Sequence, residues 1–97
     1  MSQHIHYKKL KVIYEIIELA TKNTGVVHVF VDFFGHVNKF GVFANPVDCD
    51  YESCSYEKLL DFGVYLNSKN AFKELNECKA NLIDVIAQAK SGREEVA

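Results

Sequence analysis

At 97 residues the chain is long enough to bury one hydrophobic core and too short for two. Its 48% hydrophobic and 25% charged residues are those of an ordinary globular domain and exclude wholesale disorder. Eleven Lys and Arg against thirteen Asp and Glu give a formal net charge of -2, which supplies no general attraction for phosphate backbones or anionic membranes.

Ile5 to Lys22 opens the chain with Leu10, Ile13, Ile16, Ile17 and Ala20 at helical spacing, while Lys9, Lys11, Glu15, Glu18 and Lys22 take most of the remainder. This reads as an amphipathic helix held more by packing than by intrinsic propensity, because Val12, Ile13, Ile16 and Ile17 are β-branched. Asn23, Thr24 and Gly25 are expected to stop it, with the glycine in the left-handed conformation that closes a helix. The lysines near the start do not make a signal peptide, since Glu15 and Glu18 interrupt the apolar run and no small-residue cleavage site follows.

Val26 to Phe34 and Val37 to Asn45 are rich in valine and phenylalanine and flank Gly35-His36, which predicts a two-stranded antiparallel hairpin with a two-residue type II′ turn. That turn sets Phe34 opposite Val37, Asp32 opposite Lys39, Val31 opposite Phe40, Phe30 opposite Gly41 and Val29 opposite Val42. One face then holds Val27, Val29, Val31, Phe33, Phe40, Val42 and Ala44 and is the expected core. The other face is mixed, with Val26, His28, Phe30, Asp32, Phe34, Val37, Lys39 and Phe43.

Pro46 ends the hairpin because it cannot donate to a ladder. An acidic stretch, Val47 to Lys58, follows, with Asp48, Asp50, Glu52 and Glu57 among Cys49, Tyr51, Cys54 and Tyr56. Leu60, Phe62, Val64 and Leu66 then alternate with Asp61, Gly63 and Tyr65 as a third strand. Asn67 and Ser68 are candidate caps for a last helix. Its stripe is Phe72, Leu75, Leu82, Val85, Ile86 and Ala89, its expected end Gly92, and the tail from Arg93 is expected to be loose, as are residues 1–4. The fold expected is a single α+β domain in α-β-β-β-α order, a three-stranded antiparallel sheet with two helices packed on one face. That order resembles the double-stranded-RNA-binding domains, in topology only: the clustered lysines such domains use at the start of the last helix are reduced here to Lys69 and Lys73.

The mixed hairpin face is the most informative surface. Phe30, Phe34 and Phe43 beside Val26 and Val37 would leave a large apolar patch in water unless something covers it: either the first helix, the acidic loop or the third strand's partner within the same chain, or a binding partner, with His28 and the Asp32 and Lys39 pair then as a polar rim. The acidic stretch, through Asp48, Asp50, Tyr51 and Glu52, could steer a basic partner. Other chemistry is poorly supported. Asp48, Asp50 and Glu52 match alternate positions of a calcium loop, but Ser53 stands where a glycine makes the turn and Leu59 where a glutamate closes the site. Cys49 and Cys54, with Cys78 and His28 or His36, are a single short-spaced pair where zinc sites show two, and Cys78 is better read as a small hydrophobe. His4 and His6 are assigned no role. The sequence contains no phosphate-binding glycine loop, serine elbow or paired zinc histidines, so no catalytic residue, cofactor or metal is expected.

The expected function is therefore that of a small non-enzymatic interaction protein, of inhibitor or adaptor type, that binds another protein and self-associates as a dimer. Three cysteines, an odd number, fit a reducing cytoplasm, and no apolar run is long enough to span a membrane. The alternative is a nucleic-acid-binding module in which Phe30, Phe34 and Phe43 stack on bases while Lys39, Lys69 and Lys73 meet phosphates.

Overall fold

The computed structural model describes residues 7–47 and 58–96. Helix α1 (Tyr7–Lys22) buries Val12, Ile13, Ile16 and Ala20, a stripe whose spacing turns one side of the helix to the core. Ile17, expected in that stripe, lies on its flank and is exposed. The helix closes on Asn23. Its side-chain Nδ2 donates to the Leu19 carbonyl at 2.8 Å, and its own carbonyl accepts from the N–H groups of Val26 and Val27, both at 3.0 Å. Gly25 has no positive φ, so the left-handed glycine stop expected there is not the device used.

Strands β1 (Val27–Phe34), β2 (Lys39–Pro46) and β3 (Leu60–Tyr65) form an antiparallel sheet in the order β1-β2-β3, with β2 central. The hairpin loop differs from the two-residue turn expected. Gly35, His36, Val37 and Asn38 all lie in the loop, and Asn38 sits at φ 53 while Gly35 has no positive φ. A type II′ turn needs its first central residue left-handed. Here asparagine, which tolerates that region, takes the role at the end of a longer loop. Val37 N–H donates to Phe34 O at 3.2 Å, and Asn38 N–H to Gly35 O at 3.4 Å.

The register consequently moves by two residues. Phe34 pairs with Lys39, Phe33 with Phe40, Asp32 with Gly41, Val31 with Val42 and Phe30 with Phe43. Asp32 and Lys39 are therefore not opposite each other, and Phe30 covers a ring instead of a glycine. A shift of two preserves the parity of side chains, so the strand residues keep their expected faces while every cross-strand pair changes. Val26 and Val37, expected on the mixed face, do not lie on it: Val26 precedes β1 and packs against the core, and Val37 falls in the longer loop.

Val27, Phe40, Val42, Ala44, Leu60 and Val64 form the sheet's side of the core. The residues after β3 lead into α2 (Ala71–Val96): Ser68 Oγ accepts from Asn70 N–H at 3.2 Å, and the Asn70 carbonyl accepts the first helical bond, from Glu74 N–H at 2.9 Å. Ala71, Leu75, Cys78, Leu82 and Ile86 are its buried positions, whereas Phe72 is exposed. The helix runs past Gly92. One glycine costs a helix only about 1 kcal/mol, and the Arg93, Glu94 and Glu95 that follow are good helix formers.

Both helices lie on the same face of the sheet, α1 against β1 and α2 against β3. Lys79 Nζ on α2 donates to Glu15 Oε1 on α1 at 2.9 Å, and Lys9 Nζ reaches the Leu66 carbonyl at 2.8 Å. Coverage is uneven over β1. Val29 and Val31 are only half-buried and Phe33, expected in the core, is 58% exposed.

Candidate interaction face

With both helices on one side, the other side of the sheet carries, among the described residues, alternate strand residues: His28, Phe30, Asp32 and Phe34 on β1, Lys39, Gly41, Phe43 and Asn45 on β2, Asp61, Gly63 and Tyr65 on β3. The register arranges them in rows across the strands. Phe34, Lys39 and Tyr65 make one row, Asp32, Gly41 and Gly63 the next, and Phe30, Phe43 and Asp61 the third.

The middle row has no side chain on two of its three strands, so it forms a trough of ≈ 190 Å³ walled by Phe34 and Lys39 on one side and Phe43 and Asp61 on the other. Asp32 stands at its β1 end. Lys39 leans over its β3 end, where its Cε would meet a Cβ placed on Gly63. Gly41 has room for such a Cβ, so the trough is a choice of side chain there and not a demand of the backbone.

Phe30 and Phe43 stack with centroids 4.7 Å apart and planes 10° from parallel. Lys58 Nζ lies over the Phe43 ring at 4.5 Å from its centroid and within 3.5 Å of Asp61 Oδ2. The Phe43 ring thus contacts both a second ring and an ammonium group. Lys39 Nζ stands 5.5 Å from the centroid of Tyr65. Phe34 and Tyr65 remain 45% and 53% exposed at the outer row.

The structure thus gathers the expected residues Phe30, Asp32, Phe34, Lys39 and Phe43 on the one face of the sheet that neither helix covers, with His28 at its end. Asp48, Asp50, Tyr51 and Glu52, with Cys49 and Cys54, lie outside the described residues. Sequence reasoning missed Tyr65, Asp61, Lys58 and Gly63, because their place on this face depends on β3 pairing with β2, which no local pattern announces. Lys69 and Lys73, assigned to phosphates in the nucleic-acid reading, precede and open α2 on the helix side of the sheet.

Among the described residues, Cys78 and Asn45 carry buried polar groups. Cys78 is fully enclosed in the core, and burial pushes its thiol up to about 11. It lies on the helix side and His28 on the other, so the sheet separates these two members of the conceivable zinc set. Asn45, opposite His28, is also wholly buried, and neither its Nδ2 nor its Oδ1 has a hydrogen-bond partner. Among the described residues no cluster of three or more His, Cys, Asp or Glu could hold a metal ion, and no helix is long and apolar enough to cross a membrane. No family model, curated protein or solved structure matches the chain.

Proposed function

We propose that this chain is a small cytoplasmic binding module without catalytic activity, of inhibitor or adaptor type, which docks another protein on the open face of its sheet and self-associates. The observation that carries the reading is the glycine-floored trough between two aromatic rows, on a face that neither helix covers. An elongated side chain of a partner laid over Gly41 and Gly63 would be flanked by the rings of Phe34 and Phe43 and would meet Asp32 at its end. Interfaces of this kind take most of their affinity from a few aromatic anchors around such a pocket.

The nucleic-acid reading is the second choice. Bases stack on ring faces, but Phe43 is already stacked on Phe30 and overlaid by Lys58. Lys58 is paired with Asp61 and Lys39 lies beside Tyr65, while Asp32 and Asp61 would repel phosphates approaching the trough.

The test is an affinity pull-down from the native host with and without nuclease, comparing the wild type with Gly63→Val, which fills the trough, and Tyr65→Asp, which charges its outer wall. A protein retained after nuclease and lost with both variants supports the reading. Release by nuclease, or retention by both variants, overturns it.

A further inference from the structure

We infer that the residue received by the trough is an arginine, carried on a basic segment of the partner, with its guanidinium on the Asp32 carboxylate and its stem over Gly41. The inference rests on the docking proposed above and deepens it by naming the chemistry of the occupant.

The charges around the trough are unequally committed. Lys58 is paired with Asp61, and Lys39 leans from β2 onto β3, where its side chain lies against Gly63 and beside the Tyr65 ring. Asp32 stands at the opposite end, on β1, two strands or about 10 Å from β3. It is exposed and, among the described residues, has no ion pair, hydrogen bond or ring contact. The register is the cause. A two-residue turn would set Lys39 opposite Asp32, whereas the longer loop pairs Lys39 with Phe34 and Asp32 with Gly41, so Asp32 faces a residue with no side chain.

That arrangement selects among occupants. An apolar side chain laid over Gly41 would desolvate Asp32 without returning a partner, and an acidic one would meet Asp32 and Asp61 with like charge. A cationic side chain avoids both. Lysine would bring a compact, strongly hydrated point charge. Arginine brings a planar, weakly hydrated fork that takes a carboxylate through two parallel N–H bonds and lies against aromatic rings. A slot walled by Phe34 and Phe43 and ending in a carboxylate suits the second. With the stem over Gly41, the arginine main chain falls toward β3, where Lys39 Nζ can donate to its carbonyl.

Charge in the neighbouring sequence has the same sign. Residues 48–57, between β2 and β3 in the chain, carry the four carboxylates of Asp48, Asp50, Glu52 and Glu57 and no lysine or arginine. Negative charge tethered to the two strands that supply Gly41 and Gly63 attracts a basic segment toward this sheet.

Nuclear magnetic resonance titration of the isotope-labelled full chain with acetyl-Gly-Arg-Gly-amide tests this, read at the backbone amides of Gly41 and Gly63. The comparison peptides carry citrulline, the uncharged isostere of arginine, or lysine. The arginine peptide should shift both glycine amides saturably and bind about fivefold more tightly than the citrulline peptide, the contribution of one well-formed exposed ion pair. Lysine should bind more weakly than arginine, and Asp32→Asn should reduce the arginine peptide to the citrulline level. Absence of a saturable shift, equal binding of the citrulline or lysine peptide, or arginine binding unchanged in Asp32→Asn overturns the inference. The peptide comparison on wild type needs no variant to fold. Docking is judged apart from it by adding Asp32→Asn to the pull-down. A partner lost with Gly63→Val, Tyr65→Asp and Asp32→Asn alike supports the arginine assignment, and one lost with the first two but kept by Asp32→Asn overturns that assignment while docking stands.

Discussion

Lys39 lies across Gly63: a Cβ at position 63 would stand 2.8 Å from Lys39 Cε and 3.4 Å from Nζ. The obstructing atoms are the far end of a flexible side chain, and the glycine has no positive φ. A side chain at 63 would therefore displace Lys39 from its place near Tyr65 without straining the strand. Gly63→Val is expected to keep stability within about 1 kcal/mol of wild type, since valine suits a strand, while closing the trough. Chemical denaturation checks the first expectation, and partner capture the second.

The core can be separated from its margin by truncation. Leu75 and Leu82 are wholly enclosed, and replacing either by alanine should cost about 2–5 kcal/mol in urea unfolding. Phe72 fits the same helical stripe on paper but is 42% exposed, so Phe72→Ala should cost under about 1 kcal/mol. Equal losses at Phe72 and Leu75 would contradict the packing described here.

Cys78 should be chemically silent. Its thiol, raised to about 11 by desolvation, stays protonated at neutral pH, and the thiolate is the reactive form. In a background with Cys49 and Cys54 replaced by serine, a thiol reagent should modify Cys78 only after denaturant is added. The linked stability has a definite sign. Folding favours the protonated thiol, so its contribution is fully present below the ordinary value of 9.0 and is lost as pH rises from there through about 11. Unfolding midpoints of this background should fall over that window more steeply than those of its Cys78→Ala derivative.

Asn45 is buried with both polar atoms of its side chain unpartnered, an arrangement that costs about 1–3 kcal/mol relative to an apolar group of similar shape. Asn45→Leu should accordingly raise the melting temperature. A fall would show that the amide finds a partner in solution.

Much of this architecture was legible in the chain. The period of Ile13, Ile16 and Ala20, the alternation of Leu60, Phe62 and Val64, and the two valine-rich runs specify their elements locally. Even the division of the hairpin into two faces held, although its turn did not. Loop length depended on whether Gly35 or Asn38 would take the left-handed conformation, and both residues tolerate it. Because the two outcomes differ by two residues, the faces were protected by parity and the pairs were not.

Sequence by itself determined the centre of the core, Ile13, Ile16, Val42, Val64, Leu75 and Leu82 among it, because burial there follows a periodicity that each element carries alone. Only the tertiary structure decided how the surface is composed. The trough exists because β3 pairs with β2 in the one register that sets Gly63 beside Gly41, and the two lysines over rings follow from that same pairing. The exposure of Phe33, Ile17 and Tyr14 has a similar origin, for it depends on where α1 stops covering β1. Contacts between segments far apart in the chain leave no mark on the pattern of either one, so the face from which function is proposed emerges only once the sheet is assembled.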